Sequence, residues 1–189
     1  MAIATKKLLQ DLLEITRANL NGAEQLKKES VTALNWKPAS ESWSALECIE
    51  HLNRYGDFYI PEITAKIQTS THKPSEIFKS NWLGTYFSKS VSYNENVKKM
   101  KTFTSMNPLH SELDLQTIDK FIHQQHQILA LLDQSKNVNL DKTKTAISIS
   151  RFIKLRLGDT FRVVIYHNER HMKQAEKAIK MSIGNKLHV

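Results

Sequence analysis

"RVVIYHNERHMKQAEKAI", residues 162–179, decides how this chain is read. Val164, Ile165 and Ala175 recur at helical spacing and suggest a buried face, and His167 and His171 stand four residues apart on the same helix. A residue four positions on lies about 40° around the helix and one turn along it, so the two imidazoles point the same way and can reach one ion. Two readings stand at this point. The pair is either two satisfied core histidines or two legs of a metal site that needs a third.

The third candidate is His51, inside a second helical stretch and flanked by Leu52, Tyr55 and Phe58. An imidazole buried there has to be hydrogen-bonded or coordinated, because leaving it unpaired costs about 1–3 kcal/mol. A core histidine bonded to a backbone group or a carboxylate accounts for His51 equally well when it is taken alone. A zincin is excluded: its H-E-x-x-H places a glutamate directly after the first histidine. Here Asn168 holds that position, and Glu169 lies roughly 160° from both histidines and is expected to face solvent.

Outward from this stretch the chain reads as all-α. It has five glycines and four prolines in 189 residues, and its apolar residues recur at three-four spacing over long windows. A first helix is expected from about Thr5 to Lys28, with Leu8, Leu9, Leu12, Leu13, Ile15 and Leu20 as its stripe. A polar link, "NWKPASESW" (35–43), follows. Ser44 and Glu47 form a capping box that opens the second helix. Gly56 and Pro61 weaken that helix locally, since an internal proline removes a hydrogen bond.

Residues 69–112 are the least helical stretch; the aromatics Phe78, Trp82, Tyr86 and Phe87 predict an ordered connection with a short helix rather than disorder. A third helix runs from an Asp114 cap to about Gln134. A shorter helix is expected over Thr145 to Leu155, and the last long one over Gly158 to Met181. Four long helices with extra short pieces between them describe a four-helix bundle, expected to be a single domain over residues 1–189.

Composition narrows the function classes. No run of 18 or more apolar residues exists, which excludes a transmembrane helix, and the N-terminal "MAIATKKLLQDLLEI" lacks the features of a secretory signal. The single cysteine, Cys48, cannot form an intramolecular disulfide and fits a reducing cytoplasm. No positive partner is evident to stabilise a Cys48 thiolate, which argues against a catalytic nucleophile. The net charge of +8 raises the question of nucleic acid. The basic residues are scattered (Lys6–Lys7, Lys27–Lys28, Lys98–Lys99, Lys142, Lys144, Arg170, Lys173, Lys177, Lys180), with no aromatic-interleaved basic strand and no recognition motif. Solvated lysines are the simpler reading.

Two blocks of sequence together resemble one family. "LNWKPASESWSALECIEHLN" (34–53), with Trp36, Pro38, Trp43-Ser44 and a histidine in the second helix, resembles the opening of DinB/YfiT-like proteins. "LRLGDTFRVVIYHNERHMKQA" (155–175), with Leu157-Gly158-Asp159, His-x-x-x-His and Gln174, resembles their last helix. The likeness covers nearly the whole chain and implies a four-helix bundle of DinB/YfiT-like type. It also implies a divalent metal held by His51, His167 and His171, the residues that spacing and burial had singled out. The other five histidines match no motif position: His123 and His126 read as exposed or bundle-edge residues, and His72, His110 and His188 fall in loops or the tail.

Some proteins of this kind are thiol transferases that use bacillithiol, mycothiol or a related low-molecular-weight thiol; others resemble metal-dependent hydrolases. The expectation is therefore a metal-dependent thiol S-transferase or hydrolase acting on a small electrophile, with zinc, nickel, iron or manganese bound. Glu47 and Tyr55, one turn either side of His51, are candidates for supporting the ligand, with capping and packing as the equal alternative. Trp82 and Tyr86 are assigned first to core packing and second to a substrate wall. A non-enzymatic, metal-stabilised or stress-related binding protein is the alternative function, DNA binding is a third, and Leu8 and Leu12 at a bundle rim suggest a homodimer.

Overall fold

The structure is a computed structural model in which residues 2–93 and 102–186 are described. It is mostly helical. The helices are α1 (Thr5–Leu26), α2 (Val31–Asn35), α3 (Ala45–Gln68), α4 (Trp82–Val91), α5 (Leu115–Gln134) and α6 (Leu157–Lys186). Two short antiparallel pairs accompany them: β1 (Ala2–Ala4) with β2 (Ile77–Lys79), and β3 (Lys144–Ile147) with β4 (Ser150–Arg156). Residues 94–101 of the long connection, with Lys98–Lys99, and His188 in the tail lie outside the described residues.

The starts of the helices follow local chemistry. Ser44 accepts from the Glu47 backbone N–H while the Glu47 carboxylate accepts from the Ser44 N–H, so the capping box forms as read. Asp114 caps α5 by accepting from the Gln116 N–H, and Ser30 caps the short α2, which the sequence reading had left unassigned. Helix α3 continues through Pro61 without a break. The bond forgone there is offset by the burial of Tyr59, Ile60 and Ile63 around the proline.

Helices α1 and α3 each pack against both α5 and α6. One half of the core joins Leu8, Leu12, Ile63, Phe78, Ile128, Leu132 and Phe161; the other joins Ala23, Leu34, Ile49, Leu52, Phe121, Met172 and Ala175. Leu8 and Leu12 are 2% and 0% exposed. They belong to this core, so they offer no face for pairing two copies.

Two regions depart from expectation. Residues 145–155 form the β3–β4 hairpin instead of a helix, with Thr145 opposite Leu155. The β-branched Thr145, Ile147, Ile149 and Ile153 alternate with other residues at period two, a strand pattern that a helical reading overrides. Strand β4 in turn sets the exposed Phe152 and Lys154 and the half-buried Arg156 at alternate positions. An aromatic-interleaved basic strand is therefore present after all, although Arg156 is occupied by the Lys79 carbonyl and Asp141.

The second departure is in the aromatics of α4, which is itself the short helix expected in the connection. Its inner face sends Leu83, Phe87 and Val91 against Ile147, Leu155 and Val163, whereas Trp82 and Tyr86 are 79% and 63% exposed and take no part in the core. Phe78 carries the packing expected of the connection's aromatics: it is fully buried, and its ring lies so close to Gly158 that any Cβ there would collide with it.

Candidate metal centre

The capping box sets the phase of α3, and His51 follows Glu47 by one turn on its buried side. Helix α6, packed directly on α3, brings His167 and His171 to the same place. The three candidate ligand nitrogens lie within 4.8 Å of one another, and the ring centroids are 4.7 to 5.0 Å apart. His51 and His171 are buried and His167 is half-buried. Among the described residues this is the group of histidines, cysteines and acids with metal-binding geometry. His72, His110, His123 and His126 are exposed and separate from it.

Hydrogen bonds decide which nitrogens are available. The Met106 carbonyl lies 2.7 Å from His51 Nδ1, and a carbonyl can only accept, so Nδ1 carries the proton and Nε2 carries the lone pair. His171 Nδ1 is likewise 2.9 Å from the Gln174 Oε1, which turns its Nε2 into the free nitrogen. His51 Nε2 and His167 Nε2 face each other at 3.2 Å. Two ligand nitrogens at tetrahedral positions around zinc, each about 2.05 Å from it, are separated by about 3.3 Å. The donor set therefore fits a divalent cation in chemistry and spacing.

Electrostatics favour the same state. Burial is the main cause that lowers all three histidines, His51 to about 4, His171 to about 3 and His167 well below its usual value. The charge of Arg170 adds to the lowering at each ring, Arg54 adds to it at His51, and His51 depresses both His167 and His171. The cluster is neutral at physiological pH, with its lone pairs ready for a cation.

The surroundings are aromatic and tightly tied. The Trp43 ring lies 4.7 Å from His51 and 5.6 Å from His171, and Tyr55 meets His51 and His167 edge-on at 4.9 and 4.7 Å. Tyr55 thus touches two of the rings. Glu47 does not touch His51: its carboxylate accepts from Ser44 N–H, from the His110 N–H at 2.7 Å and from Lys37 at 2.6 Å. It holds the loop that delivers the Met106 carbonyl, and that grip accompanies the left-handed backbone of His110 (φ 65°). Arg54 holds the same loop through the carbonyl of Asn107.

Asn168, in place of a zincin glutamate, is buried and donates to Gln125, while Glu169 pairs with Lys173 at the surface, as its helical phase required. Cys48 is fully buried, and burial pushes its thiol pKa up. Sequence reasoning did not assign Trp43, Met106 or Arg170 to this site. Trp43, next to the Ser44 cap, carried a motif signal; the Met106 carbonyl carried none, because any residue type supplies one.

A mostly helical protein with three converging, neutral histidines that could hold a metal is the class that fold and site define. The profile of the DinB superfamily matches residues 12–175. The chain belongs to the DinB superfamily. No curated protein and no solved structure gives a significant match. Among the described residues, no helix is long and apolar enough to cross a membrane.

Proposed function

We propose that residues 1–189 form one DinB-like domain, a four-helix bundle of α1, α3, α5 and α6, in which His51, His167 and His171 hold a divalent metal for thiol S-transfer or hydrolysis of a small electrophile. The observation that carries this reading is the convergence of three neutral imidazoles, each offering one ring nitrogen within 4.8 Å of the other two. A divalent ion bound there supplies positive charge that ionises a thiol or a water near neutral pH.

The chain's own residues do the rest. Met106 and Gln174 keep the tautomers of His51 and His171 in the liganding state. Trp43 and Tyr55 wall the cluster and restrict water. Three neutral ligands, His51, His167 and His171, would leave a bound divalent ion its full charge for activating a thiol or water. Zinc, nickel, iron and manganese all suit imidazole nitrogen. A low-molecular-weight thiol is the proposed co-substrate.

A second reading, a metal that only stabilises the fold of a non-enzymatic binding protein, is favoured by the burial of His51, which is 3% exposed. One experiment separates the two. Metal content is measured by mass spectrometry for the wild type and His51→Ala, followed by melting curves and conjugation of monochlorobimane with several low-molecular-weight thiols. About one metal per chain, lost in the variant without unfolding, together with metal-dependent conjugation, supports the enzyme. Loss of the fold along with the metal supports the structural ion, and a wild type that takes up no metal removes both.

A further inference from the structure

We infer that Arg170 is the recognition residue for a carboxylate on the small molecule that the histidine centre takes up, so that the co-substrate is an anion. This rests on the metal reading above. Arg170 stands between the two α6 histidines, three residues after His167 and one before His171. It is half-buried, and its described hydrogen bond is one contact from Nη1 to the Ser90 carbonyl at 3.2 Å. A guanidinium has five N–H donors in a planar fork that matches a carboxylate, so most of its capacity is left over.

The neighbouring charges show the contrast. Arg54 follows His51 by three residues, as Arg170 follows His167, but Arg54 is paired with Glu50 at 3.0 Å. Glu169, next in sequence to Arg170, is taken by Lys173 at 2.8 Å. Among the described residues no carboxylate lies within ion-pairing distance of Arg170, and none belongs to the histidine cluster. A divalent ion would add two more positive charges to a site that, among the described residues, has no counter-charge of its own. Uncompensated charge at low dielectric is costly, and a bound anion removes that cost.

The test uses full-length protein loaded with cobalt(II), titrated with 3-mercaptopropionate and with its neutral analogue 3-mercaptopropanol. Thiolate binding, in which the S–H proton passes to buffer as sulfur binds cobalt, is read from the sulfur-to-cobalt absorption band. The wild type is expected to bind the carboxylate about tenfold more tightly. Arg170→Gln should abolish that preference while cobalt stoichiometry and affinity for the neutral thiol stay the same, and Arg170→Lys should restore part of it. Equal affinities in the wild type, or a preference that survives Arg170→Gln, would overturn the inference and leave the metal reading intact. Failure to bind cobalt at all would sink both.

Discussion

Helix α6 carries two buried polar clusters, and they differ in whether their charges are closed. Near its start, Asp159 accepts from Ser80 at 2.6 Å and from Arg162 at 3.0 Å, with the two charged side chains 0% and 7% exposed. Asp159 also meets the first turn of α4, where Gly84 leaves no Cβ in its way, and where the helix dipole favours an anion. Two turns further on, His167 and His171 meet His51 with no opposite charge in the cluster. The first cluster carries its own counter-charge, the Arg162 guanidinium, and docks α4 and the Ser80 loop onto α6. The second gathers three imidazoles beside an arginine, with no carboxylate paired to them among the described residues. Burial alone does not mark a functional site; the second cluster differs because it gathers three ligand nitrogens with no carboxylate among them.

The comparison breaks most visibly if Arg162 is removed. Arg162→Met leaves Asp159 buried without its cation and should cost about 3–5 kcal/mol in urea unfolding at pH 8. The loss should shrink at lower pH, where Asp159, already raised by burial, takes up a proton. A cost below about 1 kcal/mol at pH 8 would mean that the knot is not closed by this pair.

Acid should pull the two clusters in opposite directions. His51 and His171 have lower pKa values folded than unfolded. Below pH about 6.5 the unfolded metal-free chain therefore binds protons that the fold refuses, and stability falls towards pH 4. Each histidine still neutral in the fold withdraws up to about 1.4 kcal/mol per pH unit across that window. Asp159, raised in the fold, acts with the reverse sign: its contribution is present below its unfolded pKa and is lost as pH rises through the folded one. Denaturant midpoints of the apo-protein between pH 7 and 4.5 should fall, and His51→Gln should flatten the slope. A slope unchanged by that substitution would separate acid sensitivity from the histidines.

A smaller effect tests how the second cluster is held. Gln174→Leu removes the acceptor that fixes the His171 tautomer. It should weaken metal affinity by about 10–100-fold with the melting temperature of the apo-protein nearly unchanged. Competition with a chelator gives the number.

Much of this was legible before any coordinates. The capping box at Ser44 and Glu47, the Asp114 cap and the i, i+4 histidines are local patterns, so one stretch of chain contains the whole signal. The helix expected over Thr145 to Leu155 is a hairpin instead: a short run rich in Ile and Leu satisfies helical spacing too, and pairing with a neighbouring strand decides between the two. Of the two roles expected for Trp82 and Tyr86, core packing is not taken up, because α4 turns Leu83 and Phe87 inward instead. Glu47, one turn from His51, reads equally as support of that ring and as a structural cap, and the cap is what forms. The structure spends both of its carboxylate oxygens on backbone and lysine partners.

By itself the amino-acid order determined the helical class, the helix starts and which histidines share a face, because hydrogen-bond caps and side-chain periodicity act over a turn or two. Only the tertiary structure decided that residue 51 meets residues 167 and 171 and which ring nitrogens of residues 51 and 171 are turned toward the cluster. Those outcomes depend on contacts between segments more than a hundred residues apart or on the precise position of a backbone carbonyl. Such contacts are set by how four long helices pack, and no local pattern encodes them.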